Sequence, residues 1–223
     1  MIRVHHLNNS RSQRILWLLE ELGLDYEVVR YERDAKTMLA PPALKKLHPL
    51  GKSPLVEVDG LVLAESGAIV EYLVDHFDDA RKFSVAPDRP ARVRFNYWLH
   101  YAEGSAMPPL LLALIFSKMK TAPMPFFLRP VARAIADKVM SNFVGPQLAL
   151  HFDYLEAELA ESGWFAGKTF GAADIQMSFP VEAGGARLEL SNRPNLQRFL
   201  DAIHARPAFQ RALAKGGPYN LMS

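Results

Sequence analysis

Residues 1–31 read MIRVHHLNNSRSQRILWLLEELGLDYEVVRY, and this stretch decides the fold class. Ile2 to Leu7 has the composition of a short strand and stops at Asn8-Asn9, residue types that favour turns. Ile15, Leu18, Leu19 and Leu22 then recur at helical spacing, and Gly23 ends that helix as a C-cap. Tyr26 to Tyr31 resumes an extended pattern. Further along, Pro41 to Leu47 predicts a short helix with proline in its first turn. Leu55–Val58 and Leu61–Ala64 flank Asp59-Gly60, a strong two-residue hairpin signal. Ser66 opens a helix that places Ile69, Val70, Leu73, Val74 and Phe77 on one face. The order β-α-β-α-β-β-α suits a small sheet covered by helices on its faces.

Residues 78–90 read as a polar linker, and beyond them no segment has a strand pattern. Ala91 to Met119 predicts a long helix interrupted at Pro108-Pro109. Further helices are expected over 129–143, 146–161, 172–184, 194–204 and 207–215. The chain therefore divides into an α/β domain, residues 1–80, and an all-helical domain, residues 88–223.

The charge balance agrees with two domains. Residues 1–80 hold 9 Lys/Arg against 13 Asp/Glu and the remainder 17 against 11, with the basic residues scattered rather than clustered, so no nucleic-acid partner is expected. The complete absence of cysteine excludes disulfides, thiolate metal sites and a protein-borne cysteine nucleophile. The seven histidines have no metal-ligand spacing, and the adjacent rings of His5 and His6 point to opposite faces of their strand. The N-terminus shows no signal-peptide pattern, and the most apolar run, Leu110 to Phe116, is far too short to span a bilayer. A cytoplasmic protein without a membrane partner is expected.

Three ordered segments carry a family resemblance. They are Asn9-Ser10-Arg11-Ser12 after the first strand, Gly51-Lys52-Ser53-Pro54 before the third, and Glu65-Ser66-Gly67-Ala68-Ile69 at the last helix of the α/β part. Together they resemble the glutathione site of the glutathione transferase superfamily. Glu103-Gly104, Pro108-Pro109-Leu110 and Ala172-Ala173-Asp174-Ile175 are similar to its bacterial and fungal branch. The resemblance covers essentially the whole chain. It implies a thioredoxin-like N-terminal domain, an all-α C-terminal domain, a homodimer, and no cofactor beyond glutathione as co-substrate.

The residues give this resemblance chemical content. Ser66, read as an N-cap, stands at a helix start that attracts carboxylates through free N–H groups and the helix dipole. By the resemblance, Ser66 takes the γ-glutamyl carboxylate of glutathione and Glu65 the ammonium, although a capped helix beside a surface acid explains the pair equally in isolation. Ser53-Pro54 resembles the family's cis-proline step, which leaves the Ser53 backbone free to pair with the tripeptide, and Lys52 adds a positive charge near the glycine carboxylate.

Activation of the thiol falls to the start of the first helix. A thiol of pKa near ~8.5 is only a few per cent ionised at neutral pH, and lowering that value by about two units takes roughly 2.7 kcal/mol of thiolate stabilisation. Ser10 stands at the family's active position, with Asn9 and Ser12 as alternatives. Ser10 and Gln13 also fit a capping box, which would commit the serine oxygen to the backbone. Gly171 departs from the family pattern, where Ser or Thr precedes the motif, and Asp174 reads as structural. Tyr97, Tyr101, Met107, Leu110 and Phe116 are candidates for an apolar electrophile pocket, a spacing that plain core also produces. The implied activity is conjugation of glutathione to small electrophiles. Glutathione-dependent peroxide or disulfide reduction and non-catalytic glutathione binding are the alternatives.

Overall fold

Four strands form the sheet of the N-terminal half: β1 (Ile2–Leu7), β2 (Tyr26–Tyr31), β3 (Leu55–Val58) and β4 (Leu61–Ala64), in the order β2-β1-β3-β4. The computed structural model describes residues 1–87, 89–188, 190–217 and 219–221. β1 and β2 are parallel, with Ile2 opposite Tyr26, and such a pair requires a crossover. Helix α1 (Ser12–Leu22) supplies it and buries Ile15, Leu16, Leu18 and Leu19 completely. β3 runs antiparallel to both β1 and β4. Asp59 at φ 49° and Gly60 at φ 87° take the two left-handed positions that a tight turn between β3 and β4 needs. Pro42–Lys46 forms a single 3₁₀ turn that buries Leu44. α2 (Ser66–Phe77) buries Ile69, Val70, Leu73 and Val74 of the stripe read from the sequence, while Phe77 at its end is only partly buried against the core.

The rest of the described chain is helical: α3 (Ala91–Tyr101), α4 (Met107–Thr121), α5 (Arg129–Val139), α6 (Gly145–Ser162), α7 (Ala172–Gly185), α8 (Pro194–His204) and α9 (Pro207–Gly216). α7 is buried from Ala172 through Val181 and packs against α1, α2, α3, α4 and α8, which makes it the central helix. The long helix expected over 91–119 breaks earlier than its prolines suggested. A π-helical turn spans Ala102–Ala106, and Pro108-Pro109 open α4, where a missing N–H costs nothing. A second π turn, Met140–Val144, joins α5 to α6. The linker is ordered around Asp78, whose carboxylate accepts from the amides of Lys82 (2.9 Å) and Phe83 (2.8 Å) and from the Ser84 hydroxyl (3.0 Å). The expected start of the second domain at Asp88, and its end at Ser223, lie outside the described residues.

The two halves meet chiefly through α1. α9 lies along it, with the Phe209 ring edge-on to Trp17 at 5.1 Å. Arg206 bonds Glu21, while Arg211 (2.7 Å) and Lys215 (2.6 Å) close on Glu20. Gly171 has a local reason. A β-carbon there would stand 3.0 Å from the Phe83 carbonyl, which the Ala172 amide bonds at 2.8 Å.

Candidate active site

A cleft of about 650 Å³ opens where the end of β1, the start of α1 and residues 33–40 face α4, α7 and the C-terminal residues Asn220 and Leu221. Asn9, Ser10, Arg11, Lys52 and Ser53 line one side; Met107, Leu110, Leu111, Leu114 and Phe179 line the other. Asn9 holds φ 47°, the left-handed conformation that asparagine tolerates better than most residues, and so turns the chain from β1 into α1.

Behind Ser10 runs a chain of hydroxyls. The Ser10 and Ser12 Oγ atoms are 2.7 Å apart, and Ser12 Oγ lies 2.9 Å from His6 Nδ1. Ser10 Oγ also accepts from the Ser12 amide (3.2 Å) and approaches Ser53 Oγ at 3.4 Å. Burial, partly offset by a hydrogen bond to the Gly216 backbone, pushes His6 down to about 4, so the ring is neutral at pH 7. A neutral ring carries one N–H and one bare nitrogen, so Nδ1 accepts from Ser12 when the ring hydrogen is on Nε2. The Ser12 hydrogen then goes to His6 or to the Leu7 carbonyl at 3.3 Å, and either choice leaves Ser12 Oγ to accept from Ser10. The Ser10 hydrogen therefore has three destinations, inward to Ser12 or to the more distant Ser53, or outward to a ligand atom in the cleft.

The expected capping box at Ser10 does not form. Arg11 occupies the cap position of α1, the Ser10 hydroxyl accepts from the Ser12 amide instead of that of Gln13, whose backbone N–H goes to the Ser10 carbonyl (3.2 Å), and the side-chain carboxamide of Gln13 makes no hydrogen bond. Its side chain is turned toward α9, close against Gly216. Ser66 is likewise not the N-cap. Glu65 is, its carbonyl accepting from Ile69 at 2.9 Å, while Ser66 is the first helical residue. Ser66 Oγ accepts from Arg14 (3.0 Å) and Gln176 (3.2 Å), which occupies both lone pairs and leaves its hydrogen to donate.

Arg14 ties the site together from a fully buried position. It donates to the Gln176 carbonyl, to Ser66 and to Glu103, the last at 2.5 Å. Glu103 belongs to the first π turn and also pairs with Arg11 at 2.7 Å. Burial pushes the Glu103 carboxyl up, but the two guanidinium groups outweigh it and hold the group below the ordinary carboxylate range. The Phe179 ring lies under both arginines, 4.9 Å from Arg11 and 5.3 Å from Arg14.

The cleft gathers only some of the residues expected from sequence. Asn9, Ser10, Lys52, Ser53, Met107 and Leu110 line it. Ser12 is wholly buried beneath Ser10; Pro54 is buried behind Ser53 across a cis peptide bond; Glu65 (exposed) and Ser66 (buried) stand outside the lining at the head of α2. Tyr97, Tyr101 and Phe116 do not face the cleft. The two tyrosines precede the π turn and pack with Trp98, Tyr101 reaching His151 of α6 at 2.5 Å, and Phe116 packs on the core.

Sequence reasoning passed over Arg14, Arg33, Phe179, Arg187 and Leu221. Arg14 carried a usable signal, because it lies four residues before Leu18 on the buried stripe of α1, where an unpaired charge is costly. Arg187 and Leu221 carried none, since helix packing alone brings them to the cleft. Among the described residues, no group of three or more His, Asp or Glu is placed to hold a metal ion, and no helix is long and apolar enough to cross a membrane.

The structure thus defines a two-domain protein, a thioredoxin-like sheet domain followed by an all-helical one, with a polar helix-start site opening on an apolar wall. Residues 1–75 match the family model for the glutathione S-transferase N-terminal domain, and residues 124–207 match that for the C-terminal domain. The chain is 38% identical to glutathione S-transferase 1 of Saccharomyces cerevisiae, over 96% of this chain and 95% of that one. It is 39% identical to glutathione S-transferase 3 of Schizosaccharomyces pombe, over 96% and 88% respectively. A solved glutathione S-transferase structure from Actinobacillus pleuropneumoniae superposes with a TM-score of 0.78 at 34% identity, covering 99% of this chain and 95% of that one. The chain belongs to the glutathione S-transferase family, and it is a transferase.

Proposed function

We propose that the protein conjugates the thiolate of glutathione to small, largely apolar electrophiles in the cleft between its two halves. The observation that carries this reading is the placement of the Ser10 hydroxyl at the start of α1, lining a cleft whose opposite wall is apolar. Sulfur seated there meets the Ser10 hydrogen turned outward, together with the positive end of α1. In this reading the γ-glutamyl carboxylate lies at the start of α2, where Ser66 has its hydrogen to give, and Glu65 faces the ammonium. Lys52 meets the glycine carboxylate, and the Ser53 backbone, just outside the β1–β3 register that ends at Leu55, pairs with the peptide. Met107 and Leu110 touch the electrophile. We take the working form as a homodimer and the compartment as the cytoplasm, where glutathione is kept reduced.

The ultraviolet absorbance of bound glutathione thiolate across pH tests the proposal. The expected midpoint lies well below ~8.5, with turnover of a neutral aryl halide following the same curve. A midpoint at the solution value would leave a glutathione-binding protein without thiol activation. A depressed midpoint with peroxide turnover, and none of the aryl halide, would move the activity to reduction.

A further inference from the structure

Cations dominate the rim of the cleft. Arg11, Arg33, Lys52, Lys118 and Arg187 face it, against Glu103 as the acid in its lining. Glu103 is already taken by Arg11 and Arg14. Arg33 donates to the backbone carbonyls of Asn8 and Met38 and braces the turn beside β1. Arg187 donates to the carbonyls of Ala183 (2.7 Å) and Leu221 (3.3 Å), both neutral acceptors. Among the described residues, no carboxylate pairs with Arg187 or with Lys118. Burial lowers the Arg187 pKa with no acid to offset it, the mark of a desolvated cation. Two of its five N–H donors are spent on those carbonyls, and the remaining three include a fork that fits a carboxylate.

The apolar wall leads to these cations. Phe179, Ala183 and Arg187 succeed one another at four-residue spacing on α7 and the turn after it, and all three line the cleft. Phe179 stacks under Arg11, the neighbour of Ser10, and Arg187 follows about 12 Å further along the helix axis. On α4, Met107, Leu111, Leu114 and Lys118 share a face and also line the cleft. That helix continues directly from the π turn whose Glu103 pairs with Arg11. Lys118 lies roughly 16 Å beyond Met107. Each apolar stripe begins beside the Ser10–Arg11 corner and ends on a cation.

We propose that the second substrate is an amphiphile whose electrophilic centre sits on an apolar body ending in a carboxylate, and that Arg187 binds this head group with Lys118 adding charge. The inference rests on the glutathione reading above and deepens it. A wholly apolar second substrate would leave the half-buried Arg187 facing an oily ligand with donors unmet, which costs affinity.

Preformed conjugates test this without turnover. S-octylglutathione and S-(7-carboxyheptyl)glutathione carry chains of eight carbons and differ in the terminal group alone. Titration calorimetry should find the carboxylated conjugate about tenfold tighter, the size of one charge-assisted hydrogen bond, with the advantage shrinking as salt is raised. Arg187→Gln should remove the advantage and leave S-octylglutathione binding within about twofold, while Arg187→Lys should keep part of it. Lys118→Gln, at an exposed position, should reduce the advantage in the same direction. Equal affinities in the wild type, or an equal loss of both conjugates in Arg187→Gln with Lys118→Gln silent, would overturn the inference and leave the glutathione reading intact. Failure of glutathione and of both conjugates to bind would overturn the two together.

Discussion

Glu103→Gln is the most informative single substitution, because it changes one charge and almost no volume in the network that joins the two halves. In the wild type, Glu103 receives Arg11 and Arg14; the side chain of Arg14 is 1% exposed and that of Glu103 27%. Breaking a buried ion pair by neutralising one partner costs about 3–5 kcal/mol. Here the loss is smaller, because Arg14 keeps the Gln176 carbonyl and Ser66 Oγ, and a glutamine oxygen still accepts. We expect a loss of about 2 kcal/mol at pH 7, or roughly 4–8 °C in melting temperature for a chain of this size. The sign with pH follows from the depressed carboxyl. Its stabilisation is complete above the unfolded value near ~4.3 and is lost as pH falls through the lower folded value. Urea unfolding at pH 7 and at pH 3.5 reads both terms, and the difference between wild type and variant should shrink at the lower pH. A loss below ~0.5 kcal/mol at pH 7, within the range of an ordinary surface change, would refute the reasoning. So would a loss that ignores pH.

The pH dependence of kcat/KM for Ser10→Ala, Asn9→Ala and Ser12→Ala separates the thiol activators. We expect Ser10→Ala to raise the acid limb most and Ser12→Ala less; a profile moved by Asn9→Ala alone would transfer the role one residue upstream. Ser66→Ala removes a donor at the head of α2 and should weaken glutathione in calorimetry with the fold intact; unchanged affinity would end the carboxylate assignment. Asp174 accepts from the amides of Phe165 and Gly171, both at 2.8 Å, and burial pushes its carboxyl up to about 7. As pH rises from about 4 to 7, the unfolded chain releases a proton that the folded one keeps, so this group's stabilisation falls. Asp174→Asn loses an acceptor, for about 1–3 kcal/mol, and its deficit in unfolding free energy should narrow toward neutral pH. Light scattering at micromolar concentration should give the mass of a dimer; a monomer would contradict that part of the proposal.

The sheet was legible because its signals are local. Asp59-Gly60 between two apolar runs, and the stripes of α1 and α2, left little choice of strand limits. The hinge in the helical half was not, since Pro108-Pro109 drew attention to a position where proline is harmless, whereas the π turn at Ala102–Ala106 has no sequence mark. That turn separates Tyr97 and Tyr101 from Met107 and Leu110, which explains why the two tyrosines of the expected pocket face elsewhere. Ser10, Lys52 and Ser53 were placed from motif order, but the roles of Ser66 and Gln13 depended on partners 52 and more residues away, Arg14 for one and α9 for the other. Long-range pairing of that kind leaves no trace in spacing.

The seating of α9 on α1 has a consequence for biosynthesis. Glu20 and Arg211 meet across 191 positions, so the first helix waits for that length of synthesis before its partner appears. At ~5–20 residues per second, on the order of ten to forty seconds separate the emergence of Trp17 from that of Phe209, which packs against it. Through that interval the nascent sheet domain presents an indole without its Phe209 cover and two glutamates that hold only Trp17 and Tyr26, their cationic partners still to be made.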